Sequence, residues 1–333
     1  MKFLVIGLGS MGKRRVRNLQ AIGGHEVAGF DPRADRCVEA AEKYGIAVYP
    51  SLDAALMGFE PDGFVISTSP EQHMTYATIG AKRELPCFIE ASVVDADRIL
   101  ALHEQTKDSR LVMAPSCTMR YFPGPKKIKE LIGQGVIGKP LNVNYQTGQY
   151  LPDWHPWEKI EDFYVSARET GAGREIVPFE LTWLNDIFGA PHALACVKAK
   201  LTDMNADIDD IYHCLLRYPQ GVLANVTVEV ISRPQSTREL RILGSSGEIV
   251  MSADENCVRY SNTAHPEWVR IDLGGGSVEA GYINPEEPYI AEMSAFVNAV
   301  VCDDKTLYPN TLLDDYHVLQ TLYQLEQLTE GAR

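Results

Sequence analysis

The sequence predicts an α/β chain in two parts: a doubly wound parallel sheet, then an α+β domain with an open, largely antiparallel sheet. Three observations predict it. A glycine turn, Gly7-Leu8-Gly9-Ser10-Met11-Gly12, lies between an apolar β-prone run at 2–6 and a helical stretch. Short apolar runs and helical segments then alternate as far as residue 118. Beyond Pro191 the pattern changes to closely spaced strands with turn residues between them.

The glycine turn matches G-x-G-x-x-G in the context that gives the motif meaning. Gly7 permits the tight turn, Gly9 lets backbone approach a pyrophosphate, and Gly12 lets the following helix lie close to the strand. The free N–H groups and positive dipole end of that helix face phosphates, with Leu8, Ser10 and Met11 completing the loop. A second apolar run, 26–30, ends at Asp31, nineteen residues after Gly12, where a carboxylate can accept hydrogen bonds from ribose hydroxyls. These features define a Rossmann dinucleotide site. The acid at position 31 disfavours a 2′-phosphate and points to NAD, while Arg33 and Arg36 just beyond it keep NADP open.

The rest of the first domain follows in order. Residues 33–44 read as a helix closed by Gly45, and 47–49 as a strand. Ser51 caps a helix over 52–57. A strand at 63–66 stops at Ser67, Thr68, Ser69 and Pro70, and a helix covers 71–82. A strand at 86–89 ends at Glu90. Asp95 caps a helix to about 107, and 111–113 forms the last strand. Ligands of such sheets bind outside the carboxyl ends of the strands, which singles out the glycine turn, Asp31, residues 67–70, 90–92 and 115–117.

The second domain is expected over 119–333. Pro123, Gly124 and Pro125 open a helix to about 134, and 141–150 alternates as a strand. An aromatic stretch, Leu151-Pro152-Asp153-Trp154-His155-Pro156-Trp157, precedes a helical region over 173–188. Strands are expected at 193–201, 209–218, 222–232, 237–243, 247–251, 257–260 and 268–273, with Pro219-Gln220-Gly221 as a hairpin turn. Helices over 286–301 and 311–329 close the chain.

Composition narrows the partners. The net charge of −14 argues against nucleic acid and anionic membrane surfaces. The apolar N-terminal run is too short for a signal peptide, and no stretch is long enough to cross a membrane. The seven cysteines are scattered and never in C-x-x-C spacing, which reads as reduced thiols in a cytoplasmic protein with no metal site.

The chain resembles the Gfo/Idh/MocA oxidoreductases over essentially its whole length. The resemblance rests on the glycine turn, on Val65-Ile66-Ser67-Thr68-Ser69-Pro70-Glu71-Gln72-His73, on Met119-Arg120-Tyr121-Phe122-Pro123, and on the turn at 132–138. It implies NAD or NADP in the first domain, with His73 near the cofactor. It also implies oxidation or reduction of a sugar, cyclitol or nucleotide sugar, and a homodimer or homotetramer built through the second sheet. The family's catalytic signatures are altered. Where it usually carries Glu-Lys-Pro, this chain has Glu90-Ala91-Ser92, and alanine transfers no proton. Where it usually carries an aspartate and a histidine after a glycine run, Val177 and Glu180 fall near those positions.

Replacement groups lie nearby in sequence. Glu180 is a candidate acid/base, the alternative being an ion pair with Arg174 or Arg120. Trp154 and Trp157 suit a sugar-stacking platform with His155 as its acid/base, the alternative being aromatics that anchor the loop. Tyr121 is a further proton carrier. Arg120, Arg174 and Glu175 are candidate substrate contacts, with Arg120 and Tyr121 equally suited to the domain interface. Three functions stay open: a sugar or cyclitol oxidoreductase with altered acid/base groups, a non-redox enzyme that retains NAD for epimerisation or elimination, and a silent NAD-binding regulator.

Overall fold

The computed structural model describes residues 1–154, 159–162 and 164–330. The chain divides into two compact units: Met1–Thr118 with Glu286–Tyr316, and Met119–Pro285 with the chain from His317.

The first unit opens with β1 (Lys2–Ile6), α1 (Ser10–Ile22), β2 (Glu26–Phe30), α2 (Ala34–Tyr44), β3 (Ala47–Tyr49) and α3 (Leu52–Gly58). It continues with β4 (Gly63–Ile66), α4 (His73–Lys82), β5 (Cys87–Ile89), α5 (Ala96–Thr106) and β6 (Met113–Pro115). The strands form one sheet in the order β3-β2-β1-β4-β5-β6, every neighbouring pair parallel. Strands buried on both faces need continuous apolar runs, and Phe3, Leu4, Val5 and Ile6 of β1 are fully buried.

Local signals explain most boundaries. Gly45 ends α2 in the left-handed region at φ 66°. The Ser51 hydroxyl accepts from Ala54 N at 3.2 Å and caps α3. Two expectations shift. Asp95 does not cap α5; it takes a left-handed φ of 67°, and its carboxylate accepts from Arg98 Nη1 at 3.0 Å instead. The last strand starts at Met113 rather than at 111, because pairing with β5 begins where Cys87 meets Met113.

The second unit begins with α6 (Pro123–Gly133), β7 (Pro140–Gly148) and α7 (Gly173–Phe188). The strands β8 (His192–Ala199), β9 (Ile211–Arg217), β10 (Leu223–Glu229) and β11 (Thr237–Gly244) follow, then β12 (Gly247–Ser252), β13 (Cys257–Asn262) and β14 (Val269–Asp272). The sheet order is β14-β13-β12-β11-β7-β10-β9-β8. β7 and β10 run parallel and the other neighbours antiparallel. Alternation decides the faces. Val143, Tyr145, Ala224, Val226, Leu240 and Ile242 are buried, while Leu141, Leu215, Leu223 and Leu243 point outward and are exposed.

The chain then returns to the first unit through α8 (Glu287–Val301) and the start of α9 (Leu312–Glu330). Nothing in the sequence pattern signals this return, and the expectation of one second domain over 119–333 does not include it. Packing accounts for it. Phe296 of α8 is fully buried, with its ring 5.9 Å from that of Phe3 and 5.8 Å from that of Phe88. The docking face of α8 also carries charges that find partners on α1, described below.

Candidate functional site

The glycine turn has the shape a dinucleotide needs. Gly7 sits at φ 90°, and a Cβ there would fall 2.5 Å from the carbonyl oxygen of Ser67. A Cβ at Gly12 would fall 1.8 Å from the carbonyl oxygen of Gly7, so α1 packs directly on the turn. At Gly9, by contrast, the nearest group is the Arg36 guanidinium, 3.4 Å from where a Cβ would lie. Gly9 is the N-cap of α1 and offers no side-chain cap, and the first turn carries no acid. The helix therefore presents its leading N–H groups to whatever occupies the loop.

Asp31 is buried and braces this loop. Its Oδ2 accepts from Leu8 N at 2.7 Å and its Oδ1 from Arg33 N at 2.8 Å. The Arg33 side chain turns away and pairs with Asp35 at 2.6 Å, so the backbone of Arg33, not its guanidinium, takes part in the cradle. The guanidinium close to Asp31 is that of Arg36, at 3.7 Å.

Ser67, Thr68 and Ser69 leave β4 at the same sheet edge. His73 is buried and its Nε2 meets the Thr68 carbonyl at 3.0 Å, which fixes the turn. Burial pushes the His73 pKa down, which favours the neutral ring.

Glu90 lies at the same sheet edge, and its carboxylate is engaged by α1. It takes a bidentate pair from the buried Arg15, Nε to Oε1 at 2.6 Å and Nη2 to Oε2 at 3.0 Å. The Ser67 hydroxyl also donates to it at 3.3 Å. Arg15 reaches Glu292 of α8 at 3.0 Å as well. Glu292 in turn accepts from Ser116 Oγ at 3.0 Å, Cys117 N at 2.5 Å and Thr118 Oγ1 at 2.6 Å. One charged network thus ties α1, the ends of β4, β5 and β6, and α8 together. Beside it, Glu286 accepts from Arg14 Nε at 2.9 Å, Arg17 Nη2 at 3.0 Å and Asn18 Nδ2 at 3.1 Å. Sequence reading missed this set. The signal was present: Gly12, Arg15, Val16 and Leu19 fall on one helical stripe, the one that faces the sheet.

In the second unit, Glu180 lies fully buried on the sheet side of α7. The register sets Tyr145 opposite Leu240, which makes Arg238 a diagonal neighbour on the same face. Glu180 Oε2 accepts from Tyr145 Oη at 2.7 Å, Trp183 Nε1 at 2.7 Å and Arg238 Nη1 at 3.1 Å. Its Oε1 is 2.9 Å from Arg238 Nη2. The partner is Arg238, not Arg174 or Arg120. Arg174 pairs with Glu326 at 2.7 Å, and Arg120 donates to the Thr182 carbonyl at 3.2 Å. Tyr121 ends a short turn, Thr118–Tyr121, and is partly buried.

Glu175, one turn earlier on α7, is held differently. Its Oε1 accepts from Tyr164 Oη at 2.8 Å, while Oε2 is shut off from solvent with no hydrogen-bond partner among the described residues. Burial pushes this carboxyl up to about 7, against a smaller downward pull from the Tyr164 hydroxyl. Trp154 packs with Tyr164 and Ile176 against an apolar cluster of Leu151, Val165, Ala172, Ala206, Ile208 and Val230. Its indole N–H is buried without a hydrogen-bond partner among the described residues. His155 and Trp157 lie outside the described residues.

Comparison with known proteins fits this layout. Residues 1–113 match the model of an oxidoreductase family with an NAD-binding Rossmann fold. Residues 126–250 match a GFO/IDH/MocA C-terminal domain. The chain belongs to the Gfo/Idh/MocA oxidoreductase family. It is 29% identical over 146 residues to the myo-inositol 2-dehydrogenase of Thermotoga maritima, covering 42% of this chain and 43% of that protein. It is 26% identical over 150 residues to the inositol 2-dehydrogenase of Salmonella typhimurium, covering 43% and 45%. The match thus spans less than half the length of these curated relatives. Among solved structures, an oxidoreductase from Agrobacterium radiobacter in complex with NAD+, L-tartaric acid and magnesium superposes with a TM-score of 0.87 at 14% identity, covering 100% of this chain and 97% of that one. Levoglucosan dehydrogenase in complex with NADH and levoglucosan gives 0.85 at 16% identity, covering 100% and 98%. At such identities the likeness is one of fold.

Proposed function

We propose that this protein is an NAD-dependent oxidoreductase acting on a hydroxyl or carbonyl of a sugar, cyclitol or nucleotide sugar, with Glu175 as its acid/base. The observation that carries the reading is the state of Glu175. It is a carboxyl near pKa 7 on the helix that follows the glycine run, with one oxygen oriented by Tyr164 and the other without a hydrogen-bond partner among the described residues. Glu180 is the weaker candidate, because Arg238, Tyr145 and Trp183 already occupy its carboxylate.

Bound NAD supplies a hydride acceptor. The turn at 7–12 and Asp31 hold it, with residues 67–69 at the same edge. Glu175 takes the hydroxyl proton when the substrate is oxidised and returns it on reduction. Tyr164 fixes the carboxyl's orientation. Trp154, Arg120 and Tyr121 are the proposed substrate contacts, and Tyr121 and His155 are the competing proton carriers. The exposed Leu215, Leu223 and Leu243 on the outer sheet face support a homodimer or homotetramer, which sedimentation analysis tests. The seven thiols, all free, suit a cytoplasmic protein.

The test is a panel of sugars, cyclitols and their phosphate and nucleotide conjugates, followed by NADH formation. Turnover is expected with at least one. Glu175→Gln should then lower kcat by about 10²–10⁴-fold and remove the limb of the pH profile near 7, with Tyr121→Phe and His155→Ala affected far less. Full activity in Glu175→Gln overturns the assignment. NAD retained through purification, with turnover that needs no added cofactor, turns the reading to epimerisation or elimination. NAD binding without any turnover turns it to a regulator.

A further inference from the structure

Strand register in the second unit sets two cysteines face to face. Cys196 of β8 pairs directly with Cys214 of β9 in the antiparallel ladder. Their chain neighbours Val197 and Leu215 point outward and are exposed, so both thiols point to the inner face, where Cys196 and Cys214 are buried. Directly opposed residues of such a ladder have Cα atoms about 4.5–5.5 Å apart, within the span of a disulfide. Among the described residues, the ladders give no other cysteine a cysteine partner: Cys87 meets Phe64 and Met113, and Cys257 meets Ser252 and Asp272.

The two thiols are also unequal. Burial pushes the thiols of Cys37, Cys87 and Cys257 up. Cys196 moves the other way. The Cys214 thiol beside it favours its thiolate, and against burial Thr329 and the charge of Lys198 act in the same direction. Cys214 is pushed up by that same contact and by burial. Cys196 therefore suits the attacking thiol and Cys214 the resolving one. β8 is the end strand of its sheet, and the last turn of α9 covers Cys196, with Thr329 Oγ1 donating to the Cys196 carbonyl at 3.0 Å. Helix ends open locally at little cost, which admits a molecule as small as a peroxide.

We propose that Cys196 and Cys214 are a redox modification site, converted by a hydroperoxide to a reversible disulfide that joins β8 to β9 at the sheet edge. The Cys196 sulfur attacks one peroxide oxygen and the O–O bond breaks. The thiol proton leaves with the departing hydroxide as water, and Cys196 becomes a sulfenic acid. The Cys214 sulfur then attacks the sulfenic sulfur, the S–O bond breaks, and the Cys214 proton leaves with that hydroxide as a second water. Two thiols are oxidised to one disulfide and one peroxide is reduced. A thiol restores the pair by exchange, which is the transient use of disulfides that a reducing compartment permits. No step draws on the nucleotide loop.

The test treats the folded full chain, reduced and freed of reductant, with hydrogen peroxide. N-ethylmaleimide then blocks the remaining thiols, and the protein is digested without reduction for mass spectrometry. A cross-link between the peptides carrying residues 196 and 214 is expected, formed at least about tenfold faster than the exposed Cys302 is oxidised, and reversed by dithiothreitol. In Cys214→Ser, Cys196 should stop at the sulfenic acid and be trapped by dimedone. In Cys196→Ser, Cys214 should stay unmodified. Cys214→Ala and Cys196→Ala repeat these two arms without a hydroxyl in the core. A link that forms only in urea, or no faster than Cys302 is oxidised, overturns the proposal. Dimedone on Cys214 but not on Cys196 overturns the assigned roles. The wild-type arm decides the matter even where a variant does not fold.

Discussion

Arg15 of α1 and Glu292 of α8 form a 3.0 Å ion pair in which neither side chain is exposed at all. The same arginine holds Glu90 at the end of β5. The same glutamate collects donors from Ser116, Cys117 and Thr118 after β6. A buried pair of this kind is weak evidence of net stabilisation, since desolvation offsets the attraction. Removing one partner is another matter. Glu292→Ala leaves part of the charge of Arg15 uncompensated and takes the acceptor from the buried Cys117 N–H and from at least one of the Ser116 and Thr118 hydroxyls, which bond to each other at 3.1 Å. Denaturant unfolding should report a loss of about 3–5 kcal/mol. A loss below about 1 kcal/mol would sink the view that this network joins α8 to the sheet edge.

The Glu180–Arg238 pair should behave as a unit. Arg238→Met leaves a carboxylate buried with only Tyr145 and Trp183 to stabilise it, at a cost of about 3–5 kcal/mol. The double variant Arg238→Met with Glu180→Gln removes the orphaned charge and should recover much of that loss. A double-mutant cycle measured by thermal unfolding checks this, and strict additivity of the two changes would contradict it.

At the glycine turn, Gly12→Ala places a methyl group 1.8 Å from the Gly7 carbonyl oxygen. That oxygen is backbone and cannot swing aside, so either the turn or the start of α1 must shift. Quenching of protein fluorescence by NADH should show affinity reduced at least about a hundredfold, and stability should fall by about 1–3 kcal/mol. Retained affinity would mean that the turn tolerates a wider helix–strand spacing than its contacts indicate.

Glu175 predicts a pH dependence with a definite sign. Its folded-state pKa, about 7, lies above the ordinary 4.5 of a glutamate. Between those values the folded protein binds more protons than the unfolded chain, so this group lowers stability as pH rises from 4.5 to 7 and no further above it. Asp315, also raised to about 7 by burial, adds a slope of the same sign. Glu175→Gln should therefore gain stability over wild type as pH rises through that window, by roughly 3 kcal/mol at the plateau. A difference between the two proteins that stays flat from acid to neutral pH would refute the raised value.

The legible parts of the molecule were those written in local chemistry. The strand, glycine turn, helix and closing Asp31 give the cradle directly, because each residue type is demanded by backbone geometry within thirty-one positions. The strands of the second sheet were legible from alternation and from turn residues such as Pro219-Gln220-Gly221. Signals that are less exclusive misled. An Asp before a helix can cap it or pair with an arginine a turn later, as Asp95 does with Arg98. At Glu90, on the ligand-bearing sheet edge, only the folded chain shows that Arg15 of α1 holds the carboxylate.

By itself, then, the sequence determined the fold class and the nucleotide cradle. Tertiary structure alone decided which charges meet. Arg15 with Glu292, Glu180 with Arg238 and Glu175 with Tyr164 are brought together by the return of α8, by strand register and by the turn before α7. The physical reason is that an ionisable side chain has no fixed character. Burial and partners set whether a glutamate is an anchor, as Glu180 is, or a carboxyl poised near neutrality, as Glu175 is, and both are properties of the folded chain.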